Sequence, residues 1–293
     1  MDERRAGIPP LSAGFVDLHV HSRASDGTHT PADVVRRAQA KGLLAIALTD
    51  HDTLGGVAEA RAEGVRIGVR VASGCEFSVR ITGTEMHVLG YYLPENDPDL
   101  TAMLDRARSS RSDRGRQIVG HVNRLGIAIE YSEVEIVADG APIGRPHIAR
   151  VLIDRGVVKG FDEAFDRFLG KGRPAFVPKQ LPEFDEVSRL VRRIGGITSL
   201  AHPRDRATRA VLTDLKARGL DGVEVYHPSQ SPDVRGRLMA LATRLGLLPT
   251  GGSDWHGDEA AGPSHTVIGG ESVPVEWLDA IEARAAGRRN TSG

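Results

Sequence analysis

The sequence is short of several things that would settle its class at once. It has one cysteine, Cys75, in 293 residues, so no disulfide framework can form within the chain and no thiolate cluster can hold a soft metal or an iron–sulfur centre. A single cysteine also fits a reducing compartment, and the expectation is a cytoplasmic protein. Aromatic residues make up 4%, too few for a long stacking platform along single-stranded nucleic acid. Formal net charge is −1, so no global basic field argues for duplex DNA as a partner. No apolar run approaches the roughly 18 residues of a membrane span, so no membrane partner is expected. The stretch Met1 to Gly14 has charges at Asp2, Glu3, Arg4 and Arg5 but no apolar segment after them, which speaks against an export signal. No internal repeat or low-complexity segment stands out, and Arg288 to Gly293 reads as a frayed tail. What is present, 40% apolar and 26% charged residues, is ordinary for a globular chain of one large domain, or one domain with an insertion.

Apolar runs alternate with helical patterns through most of the chain. Phe15 to Val20, Leu43 to Leu48, Ile67 to Ala72, Glu85 to Tyr91, Ile197 to Leu200, Gly222 to Tyr226 and Leu247 to Thr250 read as strands. Thr30-Pro31 starts a helix that stops at Lys41-Gly42, with Thr as the cap and Pro in the first turn. Further helices are expected around Val57 to Arg61, Asp185 to Ile194, Val211 to Arg218, Val234 to Leu245 and Glu276 to Ala286. From 97 to 183 the pattern changes: helical periodicity and arginines dominate and strand signals disappear. The expected organisation is a barrel in two parts, 1–96 and 184–293, around an inserted helical subdomain, 97–183. Repeated strand–helix units give a mostly parallel sheet, and their number favours a closed or nearly closed barrel.

Polar residues of one kind recur at the strand ends. His19 and His21 share one face of the first strand, because a strand has period two. Asp26 follows in an Asp-Gly turn. His51, Glu76, His87, His202, Asp254 and His256 each stand just after an apolar run. Taken singly, any of these is a cap or an ordinary polar strand end. Chance, however, does not sort six of eleven histidines to one topological level, the C-terminal rim where parallel barrels carry their active sites. Nine nitrogen and oxygen donors exceed the needs of one tetrahedral zinc. They suit two or three divalent ions, with manganese the leading expectation and iron or zinc the alternatives.

The motifs Asp17-Leu18-His19-Val20-His21-Ser22, Ser25-Asp26-Gly27, Thr49-Asp50-His51-Asp52, Gly74-Cys75-Glu76, His87-Val88-Leu89-Gly90, Ala201-His202-Pro203 and Ser253-Asp254-Trp255-His256-Gly257 together resemble the PHP (polymerase and histidinol phosphatase) superfamily. The resemblance runs from about Phe15 to Gly257 and is strongest to the stand-alone bacterial phosphoesterases of the group that includes nucleoside 3′,5′-bisphosphate phosphatases and 5′–3′ exoribonucleases. It implies an α/β fold, a distorted (β/α)7 barrel with a helical insertion and a trinuclear centre. On that pattern His19, His21, Glu76 and Asp254 hold one ion. Glu76, His87 and His202 hold a second, and Asp26, His51 and His256 a third. Asp17 and Asp52 are read as groups that orient the ligands, with a cap of the Thr53-Leu54-Gly55 turn as the alternative for Asp52.

Such a centre implies hydrolysis of a phosphomonoester by a metal-bound hydroxide, with Glu76, Asp254 and His227 as catalytic residues. No covalent nucleophile is needed, and Gly251-Gly252-Ser253-Asp254 lacks the Gly-x-Ser-x-Gly spacing of a nucleophile elbow. Arg145, in Gly144-Arg145-Pro146-His147, opens a helix and resembles the corresponding motif of nucleotide-acting members. It is expected to bind substrate phosphate. A solvated arginine before a helix is the alternative for Arg145. Lys171 and Arg173, in a second basic loop, are further candidates for substrate binding, with a surface turn as the alternative. Arg204 and His227 are rim residues that could bind phosphate or donate a proton to the leaving group. His29, His121, His147 and His265 are read as non-ligands.

The leading expectation is a phosphatase for a small phosphorylated substrate, a nucleotide such as a nucleoside 3′,5′-bisphosphate. The alternatives are an exonuclease on short RNA, a histidinol-phosphate phosphatase, and a non-catalytic module associated with a polymerase. The helical insertion argues against the third reading. The intact ligand set, and the absence of any polymerase sequence after it, argue against the fourth.

Overall fold

The computed structural model describes residues 14–258 and 266–291. The expectations for Met1 to Ala13 and for His265 lie outside the described residues. Strand β1 (Phe15–Val20) leads to α1 (Pro31–Ala40), whose first turn is closed by Thr30 Oγ1 accepting the Asp33 amide at 3.1 Å. Then follow β2 (Ala45–Leu48), α2 (Val57–Ile67), β3 (Arg70–Ile81) and β4 (Thr84–Tyr91). Strand β2 is short and wholly buried, as expected of a strand covered on both faces. Ile67 ends helix α2 rather than opening a strand, and β3 runs well past the expected end at Ala72 to Ile81.

β3 and β4 form an antiparallel hairpin. Ile81 pairs with Thr84, and the two residues between them, Thr82 and Gly83, both have positive φ (47° and 78°). That is the backbone of a two-residue hairpin turn, whose twist matches that of the strands it joins. A strand joined this way must run backwards. β4 is therefore antiparallel to β3 and also to β5, an exception within the expected, mostly parallel sheet.

After β4 the chain turns helical: α3 (Pro98–Arg124), α4 (Tyr131–Ala138), α5 (Arg145–Asp154) and α6 (Phe161–Ala164), which continues as a π-helical turn over Phe165–Leu169. These helices have an apolar core of their own, built only from residues between Ile118 and Val177, with Ile118, Val122, Ile148, Leu152 and Leu169 at its centre. The alternation resumes with α7 (Phe184–Arg193), β5 (Ile197–Leu200), α8 (Arg209–Ala217), β6 (Gly222–Tyr226), α9 (Pro232–Leu245), β7 (Leu248–Gly251), the two-residue β8 (Val273–Pro274) and α10 (Val275–Thr291). Arg288 is inside α10 and bonded to the Gly196 carbonyl and Asp221, so the expected frayed tail is helical as far as Thr291.

The strand order is β7-β6-β5-β4-β3-β2-β1-β8. The sheet nearly closes, because the segment after β7 lies along β1: the Asp254 amide donates to the His19 carbonyl at 2.8 Å and the His21 amide to the Trp255 carbonyl at 2.9 Å. Gly252 makes this approach possible. A Cβ there would stand 2.4 Å from the His19 backbone nitrogen. The result is a distorted α/β barrel with a helical insertion. Among the described residues no helix is long and apolar enough to cross a membrane.

Candidate metal centre

β1 puts Val16, Leu18 and Val20 on one face, in apolar cores, and Asp17 and His19 on the other, with His21 following on that face. His19 and His21 are fully buried. Glu76, also buried, is the hub. Its Oε2 lies 3.2 Å from each of His19 Nε2, His21 Nε2 and His51 Nδ1. Its Oε1 lies 2.6 Å from His87 Nδ1 and 2.9 Å from His202 Nε2. Asp254 Oδ1 meets His19 Nε2 at 3.3 Å and His21 Nε2 at 3.1 Å, and Asp26 Oδ1 lies 3.3 Å from His256 Nε2.

Glu76 and His87 do not stand at strand ends. Both lie within their strands, β3 and β4, on either side of the hairpin. Because β4 runs backwards, its first half reaches the level that the other strands reach with their last residues. His202 and Asp254 both have positive φ (27° and 53°), a costly backbone for residues with a side chain and a common mark of functional sites.

Among the described residues, four groups of ligand atoms are close enough to share an ion: His19, His21, Glu76 and Asp254; His21, Asp26, His51 and His256; His51, Glu76 and His87; and His19, Glu224 and His227. The first coincides with one of the implied ligand sets. In the third His51 stands where the resemblance implied His202, although His202 keeps its contact to Glu76. The donor set fits divalent ions. His21 Nδ1 and Nε2, His51 Nδ1 and His87 Nδ1 are buried with no hydrogen-bond partner, although carboxylate oxygens lie close to them. Buried polar nitrogens without partners are rare in a folded chain, and ligation satisfies them.

Other bonds aim the rings. The Asp254 carbonyl takes the His256 Nδ1 proton at 2.9 Å, which leaves Nε2 open toward Asp26. Buried Asp50 accepts the Ser22 amide and the Ser22 and Ser25 hydroxyls, all at 2.7 Å, and so shapes the loop that carries Asp26. Asp17 touches no ring. It accepts the backbone amides of His19, Ser253 and Gly269, tying the start of the barrel to its end.

Burial is the largest single influence on His21, His51, His87, Glu76 and Asp254. It wins at His51, whose ring is driven down to about 3 and stays neutral. At His21 burial is outweighed by Asp254 and Glu76, which lift the ring to about 10, and at His87 by Glu76, which lifts it to about 9. The imidazoles around Glu76 and Asp254 in turn overcome burial and hold both carboxyls well below their ordinary range.

Residues 17–172 match the PHP domain, which is more than half of the chain. The chain belongs to the PHP domain family. The PHP chain is 34% identical over 245 residues to a 5′-3′ exoribonuclease of Haemophilus influenzae, covering 82% of this chain and 89% of the relative. It is 36% identical over 248 residues to a 3′,5′-nucleoside bisphosphate phosphatase of Chromobacterium violaceum, covering 82% and 87%. A crystal structure of a Bifidobacterium adolescentis protein superposes with a TM-score of 0.84 at 31% identity, covering 94% of this chain and 97% of that one.

Beside the His87 and His202 rings the PHP chain opens a cleft of about 530 Å³. Arg80, Arg145, Lys171, Lys179, Arg204 and Arg206 line it, with Glu85 as its one carboxylate. Arg145 stands in the first turn of α5. Its Nη1 donates to the Leu169 carbonyl at 3.2 Å, and its guanidinium lies over Phe165 and Phe176 at 5.2 and 5.8 Å. Among the described residues Arg145 makes no ion pair, and burial lowers its pKa. Arg204 donates to Ser229 Oγ at 3.1 Å. Arg173 is exposed and not part of the cleft wall, so the second basic loop contributes Lys171 alone.

His227 is nearly buried. Its Nδ1 accepts the Ser229 amide at 3.0 Å, which puts the ring proton on Nε2, 3.3 Å from Asp254 Oδ2. His147 accepts the Gly144 amide through Nδ1 at 3.1 Å, closing the first turn of α5, and reaches the Ser25 backbone with its other side. His29 leans on Trp255, and His121 lies in the last turn of α3.

Three groups went unread in the sequence. Glu224 is a buried carboxylate inside β6, and its inward parity was the available signal. Arg111, on α3, binds Asp52 Oδ2 through Nε at 2.8 Å and Nη2 at 2.5 Å; Asp52 Oδ1 takes the Ser78 amide. Asp52 therefore neither caps the Thr53 turn nor touches a ring of the centre. It fastens the helical insertion to β3. Lys179, paired with Glu85 at 2.5 Å, stands in an irregular stretch where no periodicity marks it.

Proposed function

We propose that this chain is a metal-dependent phosphatase that hydrolyses a phosphomonoester of a nucleotide, with a nucleoside 3′,5′-bisphosphate as its leading substrate. The observation that carries this reading is a buried histidine–carboxylate cluster beside a cleft where Arg145 lacks a counter-ion. The relative from Chromobacterium violaceum, named for that substrate class, supports it.

Two to three divalent ions, manganese first, would be held by His19, His21, Asp26, His51, Glu76, His87, His202, Asp254 and His256. Bound there, they would lower the pKa of a coordinated water and neutralise phosphate charge. Glu76 is suited to bridge two ions, because its oxygens face different histidines. Asp254 closes the first group opposite Glu76, and the His227 Nε2 proton holds Asp254 in place. Arg145 takes the second phosphate of the substrate, since a guanidinium fork meets phosphate with two parallel hydrogen bonds. Lys171 and Arg204 flank it. In this proposal residues 97–183 are an inserted subdomain that covers a barrel made of 1–96 and 184–293. The lone buried Cys75 supports a reducing compartment such as the cytoplasm.

A second reading, exonuclease action on short RNA, is favoured by the size of the cleft. About 530 Å³ with six cations exceeds what one phosphate needs. Phosphate release from a nucleoside 3′,5′-bisphosphate, its two monophosphates and a 5′-phosphorylated trinucleotide, with manganese-loaded protein, tests both. The bisphosphate is expected to turn over fastest. Preference for the trinucleotide would move the assignment to the exonuclease, and no turnover of any would return the chain to a structural module.

A further inference from the structure

Glu224 has no part in the reading above. It is wholly buried in the middle of β6, away from the cleft, yet it touches two members of the cluster. Its Oε1 lies 3.1 Å from His19 Nδ1, and its Oε2 accepts the His202 backbone amide at 2.6 Å. We propose that Glu224 is a positioning residue that takes the Nδ1 proton of His19, so that Nε2 is left to face Glu76 and Asp254, and at the same time clamps the His202 backbone. The proposal rests on the metal-centre reading.

The chemistry of the ring requires such a partner. A neutral imidazole carries one proton, and the partner of one nitrogen decides which nitrogen is left to bind a metal. His19 Nε2 points into the cluster, 3.2 Å from Glu76 and 3.3 Å from Asp254, so the proton belongs on Nδ1. A carboxylate there fixes the ring and makes it a stronger donor. The second oxygen answers a different need. His202 has a φ of 27°, which a residue with a side chain adopts only when its surroundings hold it. One buried carboxylate thus links a ligand on β1 to another after β5.

The same atoms invite a rival reading, an ion held by His19, Glu224 and His227. Their hydrogen bonds oppose it. His227 Nδ1 already accepts from Ser229, and its Nε2 proton is directed at Asp254. Glu224 Oε2 is taken by His202. His19 would have to give both ring nitrogens to cations.

Glu224→Gln tests the proposal, since the amide keeps the shape but cannot accept at both ends. Calorimetric titration of the chelator-stripped full chain with Mn2+ is the readout, beside melting in chelator. Parent protein is expected to take up two or three ions. The variant should reach the same stoichiometry with at least one ion bound about 10- to 100-fold more weakly. A lower melting temperature with Mn2+ affinities within about twofold of the parent would reduce Glu224 to a structural prop and overturn the proposal. Loss of one whole equivalent with the others unchanged would establish the rival ion site instead. Fewer than two ions on the parent would overturn the metal reading itself, and is seen before any variant is made. Should the amide not fold, Glu224→Asp, which keeps the charge but withdraws it by one methylene, serves in the same titration.

Discussion

At the scale of single residues, the centre trades protons for metal. In the metal-free chain the rings of His21 and His87 titrate at about 10 and about 9, so both are protonated at neutral pH, whereas His51, at about 3, is neutral. A ring must lose its proton to become a ligand. Loading with Mn2+ at pH 7 is therefore expected to release protons, and apparent affinity should climb as pH rises from 6 to 9. Titrations in buffers of different ionisation enthalpy measure the release. The same shifts act on stability with a definite sign. A histidine whose folded value is raised stabilises the fold fully below its ordinary value near 6.5 and loses that contribution as pH rises through the folded value. Melting of the chelator-stripped protein should thus weaken progressively between about pH 6.5 and 10, and metal should abolish the trend. Glu76→Gln removes the charge on which five histidines converge. It should cost more than 100-fold in turnover at limiting manganese, and near-parent rates would show that Glu76 bridges nothing. The histidines were legible in the sequence because polar rings after apolar runs break the pattern of a buried strand. Glu224 and Asp50 were not, since an acid beside or inside a strand is also what a surface strand or a turn carries. Strand parity pointed Glu224 inward, but only the nearly closed barrel shows what either acid meets there.

At the scale of elements, the sequence conveyed strands and helices better than their directions. A parallel barrel and one with a reversed strand have the same apolar runs. The difference lies in two residues, Thr82 and Gly83, whose positive φ replaces a crossover helix. Glycine there was a signal, but threonine before it was not. Two other glycines separate close approach from simple helix propensity. At Gly252 a side chain would press on His19 at 2.4 Å, so Gly252→Ala should lose at least about 1–3 kcal/mol, as overpacking does, and weaken Mn2+ binding with it. Gly236 lies inside α9, where an added Cβ would meet nothing within 4 Å, and Gly236→Ala should gain about 0.5–1 kcal/mol. Thermal melts of the two variants, side by side, check both signs.

At the scale of the whole molecule, the barrel and the helical insertion supply different groups. The barrel carries the histidines and carboxylates, and the helical insertion lends Arg145, Lys171 and Lys179 to the cleft beside His87 and His202, fastened through Asp52 and Arg111. On the proposed function, a substrate bound between them presents one phosphate to each side. Arg145 decides whether it does. Its guanidinium is held by the Leu169 carbonyl and two phenylalanine rings, so it is oriented before any substrate arrives. A charge-assisted hydrogen bond of this kind is worth about 1.5–3 kcal/mol. Arg145→Ala should therefore lower kcat/KM for a nucleoside 3′,5′-bisphosphate by roughly 10- to 100-fold. A small ester with a single phosphate, p-nitrophenyl phosphate, occupies only the barrel side and should lose little. Arg145→Lys keeps the charge without the fork and should fall between. Equal losses on both substrates, under the same metal load, would put Arg145 at the phosphate being cleaved or in the fold. No loss on either would leave it a surface arginine that happens to face a cleft.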